Sequence, residues 1–164
     1  MISKLNNSIQ NKESPAIWSM AVISNERIVC GSYKLVRIWN THTGRLILNL
    51  NKHTDNVIAL EVLKPNKILA SASYDNTVMI WNTENGSLLY TLNGHKNMVS
   101  SLAYLPNGQL ASGSHDGTVK IWNPKNGTLI RTLTNHTSYV YTLKVLYDGS
   151  LASGSKDGTI KIWQ

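Results

Sequence analysis

The sequence predicts an all-β chain: an array of four four-stranded antiparallel sheets, the last without a fourth strand of its own. Three observations predict it. First, one motif recurs four times, as GSYKLVRIWN (Gly31–Asn40), SASYDNTVMIWN (Ser71–Asn82), SGSHDGTVKIWN (Ser112–Asn123) and SGSKDGTIKIWQ (Ser153–Gln164), with Trp39, Trp81, Trp122 and Trp163 spaced by 42, 41 and 41 residues. A fixed period near 40 marks a copied supersecondary unit that buries its apolar surface against its neighbours. Second, the apolar pattern has period 2, the period of a strand. Third, Asn-Gly and Asp-Gly pairs return at matching places (Asn85-Gly86 with Asn126-Gly127, Asn107-Gly108 with Asp148-Gly149). These pairs favour the positive φ of tight hairpins.

The third copy displays each element in turn. Met98–Leu105 is an apolar strand, Pro106-Asn107-Gly108 a turn, and Gln109–Ser114 a second strand. Proline fixes φ at such a turn, and Asn and Gly tolerate the reversal. His115-Asp116-Gly117 turns the chain again. In Thr118–Trp122, Val119 and Ile121 share one face and Thr118, Lys120 and Trp122 the other. Pro124-Lys125-Asn126-Gly127 precedes a fourth strand, Thr128–Leu133. Four strands and three turns make one antiparallel meander. Apolar residues nowhere recur at helical spacing.

Composition excludes several classes. At 41% hydrophobic and 15% charged residues, the 164-residue chain is too apolar for disorder and too interrupted for a membrane span. The opening residues carry Lys4 and Lys12 but no apolar core between them, unlike a secretory signal. Cys30 is the only cysteine, so no internal disulfide forms, and an intracellular setting, cytoplasmic or nuclear, is expected. The net charge of +7 comes from lysines spread over the repeats (Lys34, Lys52, Lys96, Lys120, Lys144, Lys161), a pattern that reads first as a solvated surface.

With four Trp residues in register, Gly-His and Ser-x-x-x-Asp elements, and Trp-Asn in three copies, residues 16–164 resemble the WD-repeat family of β-propellers. The resemblance implies a propeller domain over 16–164, with repeats at about 16–53, 54–95, 96–136 and 137–164, and residues 1–15 as a segment that could close the ring. It implies a structural tetrad in each blade. Carried over by position, the tetrads are His53, Ser71, Asp75 and Trp81; His95, Ser112, Asp116 and Trp122; and His136, Ser153, Asp157 and Trp163. The first copy departs from the pattern. Glu13 stands where the His belongs, and the shortened turn Tyr33-Lys34 replaces the Asp. Only Trp39 and Gly31-Ser32 survive, as in an atypical terminal repeat.

His, Ser and Asp together invite a hydrolase reading, but a catalytic triad is one exposed site. Here the set recurs three times at one period, as scaffolding does. The histidines lie a full repeat apart, which is no metal-ligand spacing, and no glycine-rich phosphate loop precedes a helix. Neither catalysis, metal nor cofactor is expected. Cys30 reads as a small apolar strand residue.

What remains is the rim. The resemblance implies partner contacts beside the start of each first strand and just before the tetrad Asp. The matching residues are Trp18, Tyr33, Asn56, Tyr74, Met98, His115, Tyr139, Tyr141 and Lys156, a set rich in the aromatics that binding hot spots favour. The expected function is a non-catalytic protein-interaction scaffold or adaptor for protein or peptide partners. The alternative is a nucleic-acid- or phosphopeptide-binding module using the basic surface. The last repeat ends at its third strand, and the candidate closing strand is Ile2–Gln10. A small closed ring, an arc that pairs with a second copy, and a part of a larger array all fit. The reading favours an incomplete array that needs a partner copy or more repeats.

Overall fold

The computed structural model describes residues 16–63 and 67–164, which form strands and turns with no helix among them. The first blade holds β1 (Ser19–Ser24), β2 (Arg27–Gly31), β3 (Val36–Asn40) and β4 (Leu46–Leu50). The second holds β5 (Val57–Leu63), β6 (Ile68–Ser73), β7 (Val78–Asn82) and β8 (Leu88–Leu92). The third holds β9 (Val99–Tyr104), β10 (Leu110–Ser114), β11 (Val119–Asn123) and β12 (Thr128–Leu133). The fourth has β13 (Val140–Val145), β14 (Leu151–Ser155) and β15 (Ile160–Trp163). Each sheet is an antiparallel meander in chain order, three of four strands and the last of three. Glu13 and the candidate closing strand Ile2–Gln10 lie outside the described residues. No helix among the described residues is long and apolar enough to cross a membrane.

The core lies between blades. Val36 and Ile38 of β3 pack with Val57, Leu69 and Trp81 of the second blade. Val78 and Ile80 of β7 pack with Val99, Leu102 and Trp122 of the third. Val119 and Ile121 of β11 pack with Val140 and Leu143 of the fourth, with Trp163 at the margin. The same register positions meet at every seam. The third strand of one blade offers its two β-branched residues, and the next blade answers with its first strand and its indole. This explains why the two faces of a strand such as Val119–Asn123 are both covered, although period-2 alternation usually separates an apolar face from a solvated one.

One lysine departs from the surface reading. Lys120 is buried, its amine donating to Thr132 Oγ1 at 3.0 Å. Its stem lies against Gly94 and its head reaches out to the fourth strand, which is how a long cationic side chain tolerates an inner position. Arg37 is buried at the same register of the first blade.

Backbones approach closely where blades meet. A Cβ at Gly31 would sit 2.6 Å from the Val57 carbonyl oxygen, and one at Gly113 would sit 2.8 Å from Val140 Cγ1. Hydroxyls fasten the same places: Ser19 Oγ donates to the Val57 carbonyl at 3.2 Å, and Ser100 Oγ donates to that of Val140. Ser100, which neighbours the rim set in sequence, is thus a seam fastener.

Candidate functional site

The loops of one rim are held by a repeated hydrogen-bond chain. In the second blade the indole N–H of Trp81 donates to Ser71 Oγ at 2.8 Å, Ser71 Oγ lies 2.7 Å from His53 Nε2, and His53 Nδ1 lies 2.7 Å from Asp75 Oδ2. The third blade repeats this through Trp122, Ser112, His95 and Asp116 at 2.8, 2.7 and 2.9 Å. The fourth repeats it through Trp163, Ser153, His136 and Asp157 at 2.8, 2.8 and 2.7 Å. With a neutral imidazole each chain permits one sequence of donors. The indole can only donate, so the serine hydroxyl accepts from it and passes its own proton to Nε2, which leaves Nδ1–H to donate to the carboxylate.

The carboxylates are saturated. Asp116 Oδ2 also accepts from the Lys96 amide at 2.9 Å, and its Oδ1 accepts from the Thr118 amide at 2.9 Å and hydroxyl at 2.6 Å. Asp75 and Asp157 make the equivalent bonds to Thr54 and Thr77, and to Thr137 and Thr159. At Asp75 and Asp116 burial alone would raise the carboxyl. The imidazole and threonine donors outweigh it and hold both well below the usual carboxylate range. At Asp157 the Thr159 hydroxyl leads, and with His136 and the backbone amides it gives the same direction against the opposing effect of burial.

The brace has two further members that sequence reasoning missed. Ser73, Ser114 and Ser155 each accept from the Asp amide two residues on and donate to a carbonyl of the preceding loop. Thr77, Thr118 and Thr159 complete the Asp turns. Their one signal in the sequence is recurrence at the repeat period. The Asn after Trp closes a turn of its own. Asn40, Asn82 and Asn123 each accept, through Oδ1, an amide two residues on, an Asx turn that an Asp would make equally well.

The first blade differs as expected at its turn, which closes from the Ser32 amide to the Leu35 carbonyl, one residue tighter than Ser73 to Thr77 in the second blade. It keeps one more link than the sequence suggests. Cys30 occupies the register of the tetrad serine, and its Sγ accepts the Trp39 indole N–H at 3.3 Å. Burial pushes the Cys30 thiol up, against the indole and Arg37, so it stays protonated.

On this frame stand the rim residues. His115, just before its tetrad Asp, stacks on Tyr139 of the next blade, with centroids 4.7 Å apart and planes at 2°, and meets Tyr141 edge-on at 5.4 Å. Lys156 Nζ lies 4.9 Å from the Tyr139 ring centroid. Burial, and then the Lys156 charge, lower the His115 pKa, so its imidazole is neutral near pH 7. Backbone bonds tie the two rim loops of the second, third and fourth blades: Tyr74 to Asn56, His115 to Met98 and Lys156 to Tyr139, at 3.0, 2.9 and 2.8 Å. Tyr33 bridges to Asn56 across the first seam, with Lys34 Nζ 4.8 Å from its ring. His115, Tyr139, Tyr141 and Lys156 therefore form one cluster. Asn56, Tyr74 and Met98 are half-buried along the same edge, and exposed Trp18 stands apart at the start of the first blade. Among the described residues no three His, Cys, Asp or Glu side chains converge as metal ligands would.

A family profile described as "WD domain, G-beta repeat" matches residues 44–82, 86–123 and 127–164. The chain belongs to the WD40 family. Among solved structures, the WD40 β-propeller domain of Doa1 is 26% identical, with a TM-score of 0.84 over 92% of this chain and 51% of its own. U3-55K is 26% identical, with a TM-score of 0.86 over 94% of this chain and 50% of its own. The computationally designed Ika4 protein is 34% identical, with a TM-score of 0.85 over 95% of this chain and 94% of its own. The chain thus spans about half the length of the first two and nearly all of the third. No curated protein sequence matches it. WD40 propellers generally serve as non-catalytic scaffolds for protein–protein interaction.

The bracing of these WD40 blades sets an order of stabilities. Ser112→Ala orphans both the Trp122 indole and the His95 ring and should cost about 2–3 kcal/mol, whereas Cys30→Ala orphans one indole and should cost about 1 kcal/mol. Urea denaturation of the two variants checks the order. The tetrad carboxylates also make stability depend on pH. Their folded pKa values lie below the unfolded value of about 3.9, so their contribution is complete above that pH and is lost as pH falls through the folded values. The melting temperature should hold from about pH 7 to about pH 4 and then fall, and Asp116→Asn should start lower and fall less steeply over the acid range.

Proposed function

We propose that this chain is an interaction scaffold that captures a protein or peptide partner on the rim bearing His115, Tyr139, Tyr141 and Lys156. The observation that carries the reading is the exposed ring cluster across the third seam, mounted on loops that the tetrads and cross-loop bonds hold still. Aromatic side chains have few torsions to freeze, and preset loops lose little entropy on docking. Tyr33, Tyr74, Met98 and Asn56 extend the same edge toward the first blade. A reducing, intracellular compartment suits the buried thiol of Cys30.

A second reading rests on a separate observation. Lys34 and Lys156 project over tyrosines on this rim, and among the described residues neither has a carboxylate within ion-pair distance. With a net charge of +7, such a surface also suits RNA or a phosphopeptide.

Affinity capture with the parent chain and with Tyr139→Ala/Tyr141→Ala, followed by mass spectrometry, tests the first reading. The variant should lose the captured partners while its melting temperature stays within about 4 °C of the parent, a shift worth roughly 1–2 kcal/mol in a domain of this size. Equal capture by both would remove the rim as the binding surface. Capture that disappears on nuclease treatment and falls steeply with salt would favour the second reading.

A further inference from the structure

On the rim the carboxylates turn inward and the ammonium groups outward. Asp75, Asp116 and Asp157 are held by their histidines, threonines and backbone amides, and Asp55 accepts the Asn56 amide at 2.7 Å. Lys34, Lys96 and Lys156 of the same loops are exposed. Among the described residues Lys156 has no carboxylate within ion-pair distance. A surface arranged in this way attracts anions, although aspartates are plentiful in its loops.

At the third seam a titratable ring joins the free cation. The His115 imidazole stacks on Tyr139 at 4.7 Å and meets Tyr141 edge-on at 5.4 Å, and Lys156 Nζ lies 4.9 Å from the Tyr139 centroid. His115 and Lys156 thus attend one ring. Tyr33 and Tyr74 hold the place of His115 at the first and second seams, so neither of those offers an imidazole there. The groups that face His115 are Tyr139 and Tyr141 at the start of β13 and Lys156 in the turn between β14 and β15. Its own neighbour Asp116 is turned to His95. The charge that bears on the imidazole is therefore positive, and it opposes protonation of the free rim. An anion seated beside Lys156 reverses that balance.

We propose that this seam seats a carboxylate of an acidic peptide between Lys156 Nζ and the His115 ring, and that His115 takes up a proton as the peptide docks. The inference rests on the reading that this rim captures a protein or peptide, and it adds the chemistry of that partner and its control by pH. The rings favour a peptide over RNA. Single-stranded nucleic acid stacks successive bases on free aromatic faces. Here Tyr139 gives a face to His115 and lies beneath Lys156, and Tyr141 stands across both rings at 79° and 78°. The result is a corner that suits a short apolar side chain next to the carboxylate, with Tyr139 and Tyr141 38% and 48% exposed to receive it. Burial and Lys156 hold the free imidazole below its usual value of about 6.5. A carboxylate within about 4–6 Å favours the imidazolium, and each unit of rise in the bound state is about tenfold in affinity. Binding is then weakest in mild alkali, strengthens as pH falls through the bound pKa and levels off below the free one.

Isothermal titration calorimetry with a synthetic peptide of Glu, Asp and Leu tests the proposal between about pH 8 and about pH 5.5, where the peptide carboxylates stay ionised. The parent should bind about tenfold tighter at the lower pH and take up a proton, seen as a heat that depends on the buffer's ionisation enthalpy. His115→Gln should bind at the parent's weak, alkaline level throughout, and His115→Arg at its tight, acid level, both without pH dependence. Lys156→Gln should bind more weakly at either pH. Both positions lie outside the tetrads, so the variants should keep the parent's far-ultraviolet circular dichroism. A His115→Gln variant with the parent's pH dependence would overturn the proposal. So would a parent that ignores the acidic peptide, that binds its Gln, Asn and Leu counterpart equally, or that binds oligouridylate in its place. In any of those cases, partner capture that still requires Tyr139 and Tyr141 keeps the rim as the binding surface and removes only the proton-coupled acidic partner.

Discussion

A β-meander with apolar residues on both faces cannot bury either face alone, and every other feature of this chain answers to that constraint. Burial is worth about 25 cal/mol for each Å² of apolar surface removed from water. In this fold the buried apolar clusters span neighbouring sheets. Leu69, Ile80, Trp81, Leu110, Ile121 and Trp122 are sealed only because consecutive blades press together. The seam thus comes before the blade in energetic terms. It dictates Gly31 and Gly113, where a methyl would collide with the neighbouring blade, and it dictates the serines that fasten one blade to the carbonyls of the next.

The polar chain from indole to carboxylate is the companion of that packing. An indole N–H buried at a seam needs an acceptor, a serine buried with it needs one in turn, and a buried imidazole needs two partners. The order Trp, Ser, His, Asp ends the series at a carboxylate that backbone amides and a threonine also hold. Burial of this kind is tolerable because no member is left unpaired. The first blade reaches a simpler solution, with Cys30 receiving the indole of Trp39. The rim builds outward from the same chain: the loops that supply the histidines and aspartates also carry the rim aromatics, so the brace that stabilises a blade also holds its edge.

The fold is legible in the sequence because the period, the alternation of Thr118–Trp122 and the Asn-Gly turns are all local signals that agree. Other features depend on neighbours far along the chain. Lys120 reads as surface charge because alternation says which face a residue takes, not whether a second sheet covers that face. Cys30 reads as inert because its partner, the Trp39 indole, is set by strand register. The contact of His115 with Tyr139 crosses a seam, and no sequence spacing encodes its stacking. Ser114 and Thr118 flank the conspicuous Asp116 as ordinary turn residues, and only the folded turn reveals them as parts of its brace.

Native-state hydrogen exchange tests the central claim most directly, that stability resides in the seams. In a single copy, amides of β6 and β10, each in a blade flanked on both sides, should exchange only with global unfolding and with a common free energy, while those of β15, where Ile160 and Ile162 are exposed, should open locally at much lower cost. Equal protection of β15 and β10 in protein that sediments as a single copy would contradict the account, since each blade would then be stable without its neighbour.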